Sequence, residues 1–192
     1  MRDIAERVMT RIGYDNGTFN MEFFYSQTED RVYLLEINPR ISQSHAYLFQ
    51  QVDGASHHQI QIDVALGREP DWKPGTGASE RAAKFMLRYH DNGRVTGVPD
   101  RATVERVERE IPGVRVDVLV EEGTELAELS NQDSYSFEIA DIYVAADSQE
   151  ELLTRYARAV DILSFELEVQ EESLAIDPGQ LQDFAETDNI PG

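Results

Sequence analysis

Two stretches that alternate apolar and polar residues, 18–25 and 31–37, are separated only by the polar run Ser26-Gln27-Thr28-Glu29-Asp30, and they constrain this chain more than any other feature. Alternation with a period of two marks a strand with unlike faces, and two such strands this close in sequence pair as a hairpin. A register symmetric about Glu29 sets Asn20 opposite Asn38, Glu22 opposite Glu36 and Phe24 opposite Leu34 on one face. Phe19, Met21, Phe23, Tyr33, Leu35 and Ile37 take the other face, which is apolar and must pack on something. The first face gathers two carboxylates and two amides, with Arg40 next in the same parity. Directly opposed side chains have Cβ atoms roughly 4.5–5.5 Å apart, so paired glutamates repel unless a proton or a cation lies between them. Carboxylates with amide oxygens make a hard-oxygen site suited to magnesium or manganese, and a neighbouring arginine suits phosphate oxygens that share the metal. The competing reading is a solvated sheet face, where glutamates are common and a one-residue slip would separate the pair.

Around this hairpin the pattern predicts a mixed chain. Ile4, Val8, Met9 and Ile12 fall at helical spacing before Gly13, giving a first helix over 2–12. Residues 41–66 read as a loop followed by a helix ending at Gly67, and 69–79, with Pro70, Pro74, Gly75 and Gly77, as a loop or linker. A second unit begins at Arg81: strands over 83–89 and 94–98, a helix over 102–111 stopped by Pro112-Gly113, and strands over 114–120 and 135–144. Ser148 and Glu151 stand in capping-box position for a helix to about Leu163, and residues 165–169 read as closing the sheet. Beyond Gln170 the chain is acidic and broken by Pro178, Gly179 and Pro191, so it is expected to be loose.

Composition excludes several classes of function. Asp and Glu total 37 against 17 Lys and Arg, a formal charge of -20, which argues against a nucleic-acid or anionic-membrane partner. With no cysteine there is no disulfide, thiolate zinc site or cysteine nucleophile. No apolar run approaches the roughly 20 residues of a membrane helix, and no signal pattern opens the chain; the expected location is cytoplasmic. Lys73 and Lys84 are the two lysines in an arginine-rich chain. The spread of acidic residues fits either a saline cytoplasm or plain arginine usage with an acidic tail.

Over Leu35-Glu36-Ile37-Asn38-Pro39-Arg40, preceded by Gly17-Thr18-Phe19-Asn20-Met21-Glu22-Phe23-Phe24, the chain resembles the metal-binding end of ATP-grasp ligases such as biotin carboxylases and carbamoyl phosphate synthase large subunits. The resemblance implies that Glu22 and Glu36 bridge two magnesium (or manganese) ions to the phosphates of ATP. It further implies that Asn38 ligates one metal and that Arg40 contacts phosphate or a reactive acyl phosphate, making Arg40 the catalytic candidate. It continues through the serines of 41–46, Gln51 to Gly54 and 61–70, and more weakly through Gly113 to Asp117, Gly123, Ser134 to Phe137 and the helix to Leu163.

The implied fold is α+β. The C-terminal half of an ATP-grasp domain, an antiparallel sheet with helices, would occupy 1–70, with a linker over 71–80. A small α+β domain like the C-terminal domain of biotin carboxylase would occupy 81–169, and an acidic tail 170–192. The implied activity is ATP- and magnesium-dependent activation of a small carboxylate as an acyl phosphate for ligation to an amine or other nucleophile.

Departures from the family pattern qualify this. Ser44 stands where biotin carboxylases carry a glutamate base, which puts carboxylation of biotin in doubt. The glycine-rich loop, phosphate-binding lysine and adenine hinge of a complete ATP-grasp site have no counterpart in the chain. The expectation is therefore a fragment, a truncated frame or one subunit of a split enzyme, partnered by the missing N-terminal lobe or a second copy; the alternative is a non-catalytic binding or assembly module. Among the remaining candidates, His45 stands between a substrate contact and a structural loop residue, and His57, His58 and His90 read as surface residues. Ser44 lacks a nucleophile elbow. Arg115 resembles an arginine lining the substrate site of biotin carboxylases, against the alternative of pairing with an acidic neighbour.

Overall fold

The computed structural model describes residues 1–129 and 136–169; the expected acidic tail and the start of the strand expected from Tyr135 lie outside these. Among the described residues the chain is α+β and its strands pair antiparallel. Helix α1 (Arg2–Ile12) stops where Gly13 turns left-handed at φ 69° and donates to Met9 and Thr10. The hairpin follows as β1 (Asn20–Ser26) and β2 (Arg31–Asn38). Residues 41–66 hold two helices instead of a loop and one helix: α2 (Gln43–Asp53) and α3 (His57–Ala65), divided by left-handed Gly54. Nothing in Gln43-Ser44-His45 announces a helix start by periodicity, which is why the pattern reads as loop.

The stretch 69–79 has no helix or strand, as expected, but it is pinned to the end of α2. Gly75 N–H donates to Asp53 Oδ1 (2.7 Å), Gly77 N–H to the Val52 carbonyl (2.9 Å) and Ser79 N–H to the Gln51 carbonyl (3.1 Å).

The rest of the chain is built on a three-stranded sheet in the order β3 (Arg81–Tyr89), β6 (Phe137–Ala146), β5 (Val114–Val118). Alternation along β6 sends Ile142 and Val144 to one face, where α4 (Arg101–Glu110) and α5 (Gln149–Ile162) cover them with Val107, Ile111, Leu152, Ala159 and Leu163. Asp100 caps α4 by accepting from Thr103 N–H, and Ser148 caps α5 by accepting from Glu151 N–H. The Glu151 carboxylate reaches back to Asp147 N–H, closing the predicted capping box one residue early.

One expectation is corrected here. β7 (Glu166–Val169) does not join the main sheet; it pairs with β4 (Gly93–Gly97) in a two-stranded sheet over a second core of Val95, Val120, Leu126 and Ile139.

Helix α2 packs on the opposite face of β3 and β6. The two parts of the chain are unequally sealed: among the described residues before Val95, Met9 is the one buried hydrophobic side chain. Among the described residues, no helix is long and apolar enough to cross a membrane.

Candidate functional site

The hairpin keeps its predicted register where the polar residues lie: Asn20 pairs with Asn38, Met21 with Ile37 and Glu22 with Glu36. It then slips by one residue, so Phe23 faces Leu34 and Phe24 faces Tyr33, not Leu34 as symmetry about Glu29 predicts. Leu35 is the extra residue of this bulge and is 65% exposed. A bulge rotates the strand beyond it, which breaks the single apolar face expected from alternation. Phe24, Tyr25 and Tyr33 are exposed with it.

Among the described residues, neither the Glu22 nor the Glu36 side chain has a hydrogen bond or ion pair to the protein, so the two carboxylates face each other from paired strand positions with no cation of the chain between them. Arg40 folds back on the strand end. Its backbone N–H donates to the Asn38 carbonyl (2.8 Å), and its guanidinium donates to Asn38 Oδ1 (3.5 Å) and the Ile41 carbonyl (3.2 Å).

These residues border an open cleft of about 1160 Å³. Asn20, Glu22, Asn38 and Arg40 line one wall; Glu36 pairs with Glu22 in the ladder but does not itself line the cleft. Ser42, Ser44 and His45, at the start of α2, form its edge, where Ser42 Oγ lies 2.7 Å from His45 Nδ1 and 3.1 Å from Ser44 Oγ. Among the described residues, no group of three His, Asp or Glu side chains converges to cage a metal. The oxygen donors that could hold a cation at this end of the hairpin are Glu22, Glu36 and the Asn38 amide, with ligand or water oxygens completing a set of the kind magnesium takes.

The second wall comes from residues that sequence reasoning missed: Lys84, Asp141 and Tyr143. Lys84 and Tyr143 are cross-strand partners, and alternation puts Asp141 on the same face as Tyr143. Lys84 Nζ lies 2.7 Å from Asp141 Oδ2 and 3.3 Å from Glu138 Oε1, while Arg88 Nη2 lies 3.1 Å from Glu138 Oε2. Burial pushes the Asp141 carboxyl above the usual range and the neighbouring Glu138 adds to this. Burial opposes ionisation of Glu138 too, but its bond to Asp141 and the Lys84 charge outweigh burial and hold it below the usual range. Burial also works against the Lys84 ammonium, yet the Asp141 and Glu138 carboxylates raise it above the usual lysine range. The available signal for this wall was Lys84 as one of two lysines in an arginine-rich chain.

Other candidates fall elsewhere. Arg115 sits 5.7 Å from both the Tyr47 and Tyr143 rings and donates from Nη2 to both carboxylate oxygens of Asp117 (3.0 and 3.1 Å), so it meets an acidic neighbour. It lines a separate hollow of about 390 Å³. His58 and His90 are exposed, as expected. His57 is not a surface residue: it is half-buried, its ring 4.0 Å from Phe49, and burial, then the neighbouring His45 and His58, push its pKa down.

Residues 1–71 match the family described as carbamoyl-phosphate synthase L chain, ATP binding domain. The carbamoyl phosphate synthase large chain of Micrococcus luteus is 33% identical over 85 residues, which are 44% of this chain and 8% of that protein. The chain thus spans a small part of the curated relatives it matches. Among solved structures, it is similar to the biotin carboxylase of Campylobacter jejuni in complex with β,γ-ATP (TM-score 0.60, 18% identity, 86% of this chain and 35% of that one). It is also similar to the biotin carboxylase domain of Hydrogenobacter thermophilus 2-oxoglutarate carboxylase, in complex with MgADP, ADP and bicarbonate (TM-score 0.59, 19% identity, 88% and 35%). At these identities the structural likeness shows the fold.

Proposed function

From the premise that residues 1–71 are of the carbamoyl-phosphate synthase ATP-binding type, an ATP-grasp ligase fold, we propose that this chain supplies the metal- and phosphate-binding end of an ATP-dependent ligase site. The observation that carries this reading is the in-register opposition of Glu22 and Glu36, continued by Asn20 and Asn38 and flanked by Arg40, with both carboxylates free of protein cations among the described residues. Glu22, Glu36 and Asn38 would hold two magnesium or manganese ions at the phosphates of ATP, and Arg40 would contact the phosphoryl group in flight. When bound, the metal neutralises phosphate charge.

The substrate is a small carboxylate. Its oxygen attacks the γ-phosphorus, ADP leaves, and an amine or other nucleophile displaces phosphate from the acyl carbon. The chain's own part is to place the reacting oxygens and balance their charge. In this reading residues 1–70 carry the site, 71–80 connect, and 81–169 form a smaller α+β domain like that at the C-terminal end of biotin carboxylase.

The exposed Phe24, Tyr25, Tyr33 and Leu35 favour a partner on the hairpin, either an N-terminal ATP-grasp lobe or a second copy of the chain. The same exposure supports a second reading in which this chain, by itself, acts as an assembly module of a split enzyme.

Calorimetric titration with ADP and manganese, run beside a Glu22→Ala/Glu36→Ala double variant, tests the proposal. Metal-dependent binding that the double variant loses is expected. Binding in neither protein would overturn the view that this chain alone forms a phosphate site, and equal binding in both would overturn the roles of Glu22 and Glu36.

A further inference from the structure

Beside the main cleft lies a smaller pocket of about 270 Å³ whose inner wall is made of rings and an aliphatic side chain: Phe19, Phe49, His57, Ile60 and Trp72. The rings already pack against one another at tilted angles, Phe49 lying 4.0 Å from His57 and 5.1 Å from Trp72 between centroids. Phe19 and Trp72 still keep 40% and 37% of their surfaces exposed, which leaves ring faces available to a ligand. The mouth is shared with the cleft and mostly polar: Asn20, Ser42 and His45 border both, together with Ile41. The pocket is thus a side chamber of the cleft, apolar inside and polar where the two join.

Its size and lining select the occupant. An apolar cavity of about 150 Å³ accommodates benzene, so this chamber has room for a phenyl-sized group with a short linker. Aromatic walls favour a flat π-system through edge and offset contacts. His57 is held towards its neutral form by burial, and its Nδ1 is buried with no hydrogen-bond partner among the described residues. The chamber wall therefore carries no fixed charge that would repel an apolar group.

We propose that this chamber is the specificity subsite of the cleft and takes the phenyl-sized apolar side chain of a small carboxylic acid whose carboxylate remains in the main cleft. The carboxylate half of that ligand rests on the phosphate-site reading above, whereas the ring half rests on the chamber alone. The class of substrate is accordingly an aryl-bearing or bulky apolar acid, not bicarbonate or acetate, which would leave the chamber empty.

Trp72 is the chain's single tryptophan and so reports directly on this chamber. The test is titration of the whole chain with 3-phenylpropionate, following Trp72 emission, against the same titration with propionate and with an Ile60→Phe variant that fills the chamber. Saturable change with 3-phenylpropionate, about tenfold or more tighter than with propionate and lost in Ile60→Phe, is expected from burying a ring. No saturable change, equal response to the two acids, or undiminished response in a folded Ile60→Phe protein overturns the proposal; the wild-type comparison of the two acids decides alone if that variant does not fold. Titration with ADP and manganese separates the two readings. Ring-selective binding without nucleotide binding overturns the phosphate site and leaves the chamber, and nucleotide binding without ring selectivity overturns the chamber.

Discussion

Lys84 and Asp141 meet at 2.7 Å across the β3–β6 ladder, Asp141 lying two residues along β6 from Tyr143, the cross-strand partner of Lys84, so the ion pair and the aromatic ring of the cleft's second wall are fixed by the same strands. Lys84 keeps 18% of its side-chain surface and Asp141 10%, which places the pair between a surface bridge and a sealed one. Removing one partner leaves the other poorly solvated and unpaired. Lys84→Met is expected to cost about 2–3 kcal/mol, between the values typical of exposed and buried pairs. Urea unfolding measures it, and a loss below a few tenths of a kcal/mol would show that the pair is solvated in solution.

Alkaline stability follows from the same cluster. The Lys84 ammonium is raised above its usual range by its carboxylate partners, and burial raises the Tyr47 and Tyr143 hydroxyls. A group whose folded pKa is raised binds its proton more tightly when folded. Its stabilising contribution is complete below the unfolded value, about 10 for both types, and disappears as pH rises through the folded one. Stability should therefore fall on raising the pH above about 10, and less steeply in Lys84→Met, as thermal unfolding across that range would record.

Gly77 lies against the end of α2 so closely that a Cβ there would run into the Gln51 carbonyl oxygen and the Val52 carbonyl carbon, both backbone. Neither atom can swing aside as a side chain would. Gly77→Ala is expected to destabilise by about 1–3 kcal/mol, the usual range for overpacking, whereas Gly75→Ala meets no atom and bears only the strain of φ 69°. Comparing the two melting temperatures distinguishes a docked segment from a free linker.

Opposed carboxylates on neighbouring strands repel, so Glu36→Gln should stabilise the metal-free hairpin by a few tenths of a kcal/mol to about 1 kcal/mol. The same change should abolish the upward shift in melting temperature produced by manganese with ADP. A variant that melts lower without metal, or that keeps the ligand shift, would count against the two carboxylates acting as a pair.

Much of this architecture could be read from the residues. The helix over 149–162 was announced by Ser148 and Glu151, and the facing of Glu22 with Glu36 followed from two alternating runs around one polar turn. What could not be read was decided away from the local pattern. The bulge at Leu35 falls in the apolar run Val32-Tyr33-Leu34-Leu35, where period-two counting fits either register and cannot see the slip. Helix α2 begins in polar residues and is held by packing on β3 and β6, a tertiary cause. The second wall joins Lys84 to Asp141, 57 positions apart, by a strand pairing no spacing rule foretells. The ring chamber likewise assembles Phe19, Phe49 and Trp72 from separate segments, each unremarkable on its own.

The uneven sealing of the chain leaves the cleft with two walls of different latitude. Glu22, Asn38 and Arg40 stand on a hairpin with no closed interior behind it, so exchanging side chains there alters chemistry with little penalty to folding. Asp141 and Tyr143 alternate along β6 with Ile142 and Val144, which carry the core. A lineage diversifying its ligand would find the first wall free to drift and the second anchored, with the ring chamber at the seam between them.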